Sequence, residues 1–491
     1  MKRPIAYSSL ALLSVQIAAC ATPPPPPPPP APTPVNITPS PIEAWRANPP
    51  APGQMPALVL PALAKDATDT GLTILLAERH TLPLVTFSIV TKAGSAMDPP
   101  KKGGLTALAW TMLGEGAGKR GSLEFSDAVA DLGATFGTSA DQDRGNITIR
   151  GLVEHREAMM ALLADVLTAP KLDTKDFDRK KSEHLASLIA SKGSPMGLAF
   201  VHVPALLYGE AHPYGHPASG TEESVATLTA ADVKAQIRAM LNPNQSALIV
   251  SGDIDMAEAK RLAKKFLGKW RGAKQKDKAF DAVEAKPRSK VIVVEKASSP
   301  QTLVLLGRPI FGAGHPDQAA LEVTDAMYGG VFSSRLNLNL REAKGYTYGA
   351  RSGFSARRGV GAYNAYAMVK AAVTGESVKE FFAELDGMKT RAPDQAEIDR
   401  TKEMLIRSLP GDFETTSTIA GAAGQIFTYG LPLDWYTTLP ARIGVVDAGA
   451  VKSMVEKYLT PERMQVLLVG EADKVSAAVA PLNLGPIEVR K

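Results

Sequence analysis

The chain of 491 residues contains a single cysteine, Cys20. A disulfide framework is therefore excluded, and nothing in the chain needs oxidation to fold. Histidine is scarce, with seven in all, at positions 80, 155, 184, 202, 212, 216 and 315. Charge of one sign is lacking too. A formal net charge of +5 over this length, with no basic stripe, argues against a nucleic-acid partner. No Ser-His-Asp or Cys-His set is recognisable from spacing. "GAGKRG" (116–121) matches G-x-G-x-x-G only formally, because it follows a helix-like stretch rather than a strand, and it reads as a turn. The apolar run from Ile5 to Ile17 is too short to span a bilayer.

That run is informative in another way. Lys2 and Arg3 precede it and "IAAC" ends it, so residues 1–20 read as a secretion signal. The ending is similar to a bacterial lipobox, which implies cleavage before Cys20 and lipidation of that cysteine. Acyl chains contribute about 0.8 kcal/mol per buried CH₂, enough for several to anchor the chain to a membrane. No acidic residue follows Cys20. The expected location is the periplasm, lipid-anchored, at the outer membrane. Residues 21–58 form a Pro-rich disordered linker whose eight consecutive prolines, at about 3.1 Å each, make a stalk of roughly 25 Å.

The rest of the chain repeats itself. "ADVKAQIRAMLNPNQSALIVSGDID" (231–255) and "GAVKSMVEKYLTPERMQVLLVGEAD" (449–473) align without a gap at an offset of 218 residues. Val233/Val451, Leu241/Leu459, Pro243/Pro461, Gly252/Gly470 and Asp255/Asp473 are identical pairs. Each copy reads as a helix, a turn at the proline, and a buried strand. The stretches 71–94 and 289–310 each predict two strands around a turn, followed by helical patterns. The polar segment 273–289 reads as an interdomain linker. The expected fold class is α+β, with two homologous domains at 60–272 and 290–485. Each has a mixed sheet plus helices, and the two form a clamshell.

Three further stretches carry a resemblance to a known family. They are "AGSAMDPPKKGGLTALAWTMLGEGAGKRGSLEFSDAVADLGATF" (93–136), "LYGEAHPYGHPASGTEESVATLT" (207–229) and "YGGVFSSRLNLNLREAKGYTYGARSGF" (328–354). Together with the repeat, they resemble the pitrilysin/insulinase-like zinc metallopeptidases, the inverzincins, and in particular short two-domain processing-peptidase-like members. The resemblance implies a zinc site of the form H-x-x-E-H on a helix, with a distant glutamate as third ligand. In this chain the motif falls on Ala107, Trp110 and Thr111, none of which binds zinc or moves a proton. The third-ligand region, near Ala186 to Leu188, has no carboxylate at the matching positions, although Glu183 lies close. No H-x-x-E-H or H-E-x-x-H occurs elsewhere. His212 and His216 are four apart, but the Pro and Gly between them break helical geometry. No metal is expected in this chain.

The second half keeps what the first has lost. The resemblance implies that an Arg and a Tyr of the second domain hold the peptide and donate to the oxyanion, and these fall on Arg341 and Tyr348. The expected function is a non-catalytic subunit. Its partner is a catalytic H-x-x-E-H chain of the same family that holds the zinc, and the pair acts on a peptide substrate. The alternative is a catalytically inactive peptide-binding or scaffold protein of the cell envelope. Arg341 and Tyr348 have a bland reading as well, as a salt bridge to Glu342 and a half-buried strand residue.

Overall fold

Two six-stranded sheets hold the strands of the described residues. The computed structural model describes residues 60–272, 277–278 and 280–491, together with Gly53; Cys20, the apolar leader and the proline run lie outside them. The first sheet contains β1 (Ala64–Ala67), β2 (Thr73–Glu78), β3 (Leu84–Thr91), β4 (Thr135–Ala140), β5 (Gly145–Leu152) and β6 (Ser246–Gly252). Their order is β1-β2-β6-β3-β5-β4. The second contains β7 (Val291–Glu295), β8 (Gln301–Phe311), β9 (Thr347–Ser355), β10 (Val360–Lys370), β11 (Gln465–Gly470) and β12 (Ile487–Arg490). Their order is β12-β7-β11-β8-β10-β9.

The sequence repeat is therefore a repeat of topology. β6 runs parallel to β2 and antiparallel to β3, and β11 does the same with β7 and β8. Only the outermost strand differs. β1 enters from the N-terminal side and pairs antiparallel with β2, whereas β12 comes from the C-terminal end and pairs parallel with β7. The mixed sheets explain why the central strands read as unbroken apolar runs, since both of their faces are covered. In β2, Ile74 and Leu76 join the core under the first half's own helices, while the intervening Leu75 faces the other way.

What covers that other face comes from the opposite half. Helix Thr416–Tyr429 packs Ala420 and Ala423 against Leu75, Val90, Ala247 and Ile249 of the first sheet. Reciprocally, helix Pro195–Tyr208 packs Ala199 against Ile292, Val294, Leu303, Leu467 and Val469 of the second. Alanines at these contacts let backbone and sheet approach closely. Each helix has a sharp start: the Ser194 hydroxyl accepts the Gly197 N–H at 3.0 Å, and the Thr415 hydroxyl accepts that of Thr418 at 3.1 Å. A buried hydrogen bond between the hydroxyls of Thr86 and Thr416, at 2.8 Å, fixes the register of the crossing. The connecting segment after the first half is also held down. Arg288 donates to the carbonyls of Leu484 (3.0 Å), Pro461 (2.8 Å) and Met464 (3.0 Å).

Candidate functional site

Helix Leu105–Met112 begins at Gly104, whose φ of 86° lies in the left-handed region. Asp98 anchors this start. Its carboxylate accepts the N–H groups of Gly104 and Thr106, both at 2.9 Å, and the Thr106 hydroxyl at 2.5 Å. Burial pushes the Asp98 carboxyl up to about 6, against the pull of those hydrogen bonds. The helix then presents three chemically silent positions. Ala107 lines an open cavity of about 540 Å³ to which both halves contribute residues. Thr111 is exposed, and its hydroxyl turns back to the Ala107 carbonyl at 3.0 Å. Trp110 is buried in the core of the first half, and its carbonyl accepts the Thr138 hydroxyl at 2.7 Å.

The neighbouring helix Thr174–Ser191 offers no third ligand. Glu183 pairs with Arg179 at 2.9 Å and Lys180 at 3.0 Å, which hold its carboxyl below the usual range. Glu115 takes the same two cations. His184 and His212 are equally committed. His184 Nε2 meets the Ser219 carbonyl at 2.7 Å. His212 Nδ1 accepts the Tyr214 N–H at 3.0 Å, leaving Nε2 to donate to the Asp281 carbonyl at 3.1 Å. His216 is half-buried, and burial lowers its pKa. Among the described residues no group of three or more His, Cys, Asp or Glu side chains is arranged to hold a metal ion.

Arg341 and Tyr348 flank a turn. Arg341 sits in the helical segment Leu338–Ala343, the chain reverses at Gly345 (φ 62°), and Tyr348 follows in edge strand β9. The ladder between β9 and β10 pairs Thr347 with Val369 and Ala350 with Ala367, so β9 carries an extra residue at positions 348–349. This bulge is closed by the Thr347 hydroxyl, which donates to the Met368 carbonyl at 2.7 Å and accepts the Gly349 N–H at 3.1 Å. Bulges re-aim side chains, and Tyr348 is 92% exposed rather than half-buried. Arg341 lies over the Phe332 ring at 4.6 Å and approaches Glu342 at 3.4 Å, the salt bridge of the bland reading. Neither residue lines the cavity beside Ala107. Phe332 (64% exposed) and Leu338 (44%) add apolar surface to the same segment.

Two features of the molecule were not legible in the motifs. The 218-residue offset carries Ala107 onto Asp325, a buried acid whose Oδ1 accepts the hydroxyls of Ser352 at 2.5 Å and Tyr363 at 2.7 Å. Applying the repeat to the zinc helix would have found it. The polar lining of the cavity beside Ala107 (Gln142, Tyr208, Arg357 and Asn364) comes from four separate segments and leaves no sequence signature.

Comparison with known proteins agrees with this geometry. Residues 73–213 match the insulinase (peptidase family M16) domain, and residues 227–405 match the peptidase M16 inactive domain. A non-peptidase homolog, YmxG, from Helicobacter pylori is 22% identical, over 82% of this chain and 92% of its own length. The cytochrome b-c1 complex subunit 1 of Caenorhabditis elegans is 21% identical, over 79% and 84%. Among solved structures, a peptidase M16 inactive domain from Pseudomonas fluorescens superposes with a TM-score of 0.77 at 25% identity, covering 83% of this chain and 97% of that one. A protease from Helicobacter pylori gives a TM-score of 0.76 at 18% identity, covering 84% and 100%.

Proposed function

The chain belongs to the insulinase (M16) peptidase family, and from that premise we propose that it is the non-catalytic subunit of a periplasmic, heterodimeric zinc peptidase. A lipid on Cys20 holds it to the outer membrane. Arg341 and Tyr348 serve the zinc site of a partner chain that carries H-x-x-E-H. Arg341 grips the peptide backbone or a carboxylate with its planar guanidinium. Tyr348 donates a hydrogen bond to the oxyanion that forms as water adds to the scissile carbonyl. The metal and the general base are the partner's, since Ala107, Trp110 and Thr111 supply neither.

One observation carries this reading. Arg341 and Tyr348 stand at the surface, away from the cavity of their own chain, in a segment whose exposed Phe332 and Leu338 suit burial against another protein. A pair in that position is available to a second molecule. The second reading, an envelope scaffold, draws support from the likeness to a non-peptidase homolog and to a respiratory-complex subunit.

Co-purification from the native envelope, followed by peptide cleavage with and without the partner, separates the two. The first reading expects no cleavage by the isolated chain and activity on adding the H-x-x-E-H subunit. In the complex, Tyr348→Phe then lowers kcat by about 10²–10³, and Arg341→Ala raises KM. If both variants leave the complex's activity untouched, the scaffold reading stands instead.

A further inference from the structure

The cavity of about 540 Å³ beside Ala107 is lined by a cluster of polar side chains, Gln142, Tyr208, Arg357 and Asn364. Among the described residues, only a handful of buried side-chain nitrogen or oxygen atoms lack a well-formed hydrogen bond within the chain. Four of them, Gln142 Oε1, Tyr208 OH, Arg357 Nε and Asn364 Oδ1, belong to residues that line this one cavity, and of these the Tyr208 hydroxyl and the Arg357 guanidinium lie close enough to interact with each other. Gln142 is 6% exposed and Tyr208 8%. A buried polar atom left unpaired is costly, so Gln142 Oε1 and Asn364 Oδ1, one from each half of the molecule and both beside the Tyr208–Arg357 pair, point to a ligand that bonds them.

The chemistry of that ligand can be read from its surroundings. The Gln142 amide is oriented by its Nε2, which donates to the carbonyls of His216 at 3.2 Å and Tyr214 at 3.5 Å. Its Oε1 is therefore an acceptor, and Asn364 Oδ1 is a second one. Arg357 and Tyr208 are the donors. The nearby acids are already engaged. Asp141 accepts the N–H groups of Asp143 (2.7 Å) and Arg144 (2.9 Å) and the Arg144 guanidinium (3.2 Å). Asp143 takes the Tyr214 hydroxyl and the Arg358 N–H, and acts on Arg357 only at longer range. Arg357, stacked over the Tyr214 ring at 5.3 Å, thus keeps its charge for an incoming anion. Val203 and Leu207 supply an apolar wall.

We infer that this cavity binds the C-terminal residue of a peptide and does not cleave it. The free carboxylate sits on Arg357 and Tyr208, backbone N–H groups sit on Gln142 and Asn364, and an apolar side chain lies against Val203 and Leu207. With Ala107, Trp110 and Thr111 in place of ligands and base, the same cavity has no means of hydrolysis. The site is independent of Arg341 and Tyr348.

Calorimetric titration of the full-length chain with the tripeptide Ala-Ala-Leu, as free acid and as C-terminal amide, tests this. The free acid binds, and the amide binds about tenfold or more weaker, as loss of a charge-assisted hydrogen bond requires. Arg357→Gln and Tyr208→Phe reduce free-acid binding towards the amide's level, while Arg357→Lys retains part of it and controls for folding. Arg341→Ala and Tyr348→Phe leave it unchanged, whatever becomes of the heterodimer. Octanoate, which has the carboxylate but no N–H donors, binds more weakly than the tripeptide. Equal binding of acid and amide, octanoate matching the tripeptide, or a cavity that takes up only water and gives no heat at millimolar peptide would each overturn the proposal.

Discussion

The indole of Trp110 lies directly on the backbone of Gly145. A Cβ added to Gly145 would stand 2.0 Å from the ring. The helix that carries the zinc motif in peptidases of this family is here pressed onto β5 by a side chain that only a glycine can accommodate.

Gly145→Ala therefore destabilises the chain by about 1–3 kcal/mol or more, the range for overpacking a core. Urea denaturation followed by tryptophan fluorescence measures it. In a Trp110→Leu background the same change costs less, and the resulting coupling energy identifies the contact as the cause.

The exchanged helices give a second expectation. Ala199 is 0% exposed between its helix and the second sheet, and Ala423 is 1% exposed on the first. Enlarging either to Leu costs about 1–3 kcal/mol. Phe200, beside Ala199 but 65% exposed, tolerates Ala with a change within about 0.5 kcal/mol. Melting temperatures of the three variants decide between a packed crossing and a loose one.

A third concerns acid. Burial pushes the Asp325 carboxyl up to about 6 from an ordinary 3.8, and Glu322 beside it is raised by burial and by Asp325 and Asp412, with Arg442 pulling the other way. Raised folded-state values mean that the native chain binds protons more tightly than the unfolded chain. The associated stability is fully present below about pH 4 and is lost as pH rises through about 6. Asp325→Asn, which keeps a neutral side chain throughout, accordingly gains on the wild type between pH 4 and pH 7, by at most about 3 kcal/mol. Denaturation curves at the two pH values show whether the gap moves that way.

A fourth follows from the metal-free helix. The purified chain carries no stoichiometric zinc by elemental analysis, and a chelator leaves its melting temperature unchanged. A drop on chelation would mean that a metal supports the fold.

How far the sequence speaks differs between fold and site. The repeat at an offset of 218 is a pattern of buried strands and amphipathic helices, and such periodicity survives because each β6- or β11-type strand must satisfy two covered faces. The silence of Ala107, Trp110 and Thr111 was equally readable, since chemistry depends on residue type. The helix exchange was not. Pro195–Tyr208 and Thr416–Tyr429 are apolar segments, and nothing local to them says which sheet they cover. Nor was the bulge at Tyr348 visible, because it depends on the register that β10 imposes on β9. The polar lining of the cavity is assembled from residues as distant as Gln142 and Asn364, a juxtaposition that only folding creates.

The reciprocal crossing of those two helices has a consequence for how the molecule comes into being. A chain interrupted after residue 272 has all of the first sheet but leaves Leu75, Val90, Ala247 and Ile249 without their cover. That sheet must wait for a segment synthesised well over a hundred residues later. Contacts at such separation slow folding and expose apolar strands meanwhile. Neither half is then a free-standing module. Cutting the chain between the halves, or expressing one alone, yields sticky material rather than half an activity.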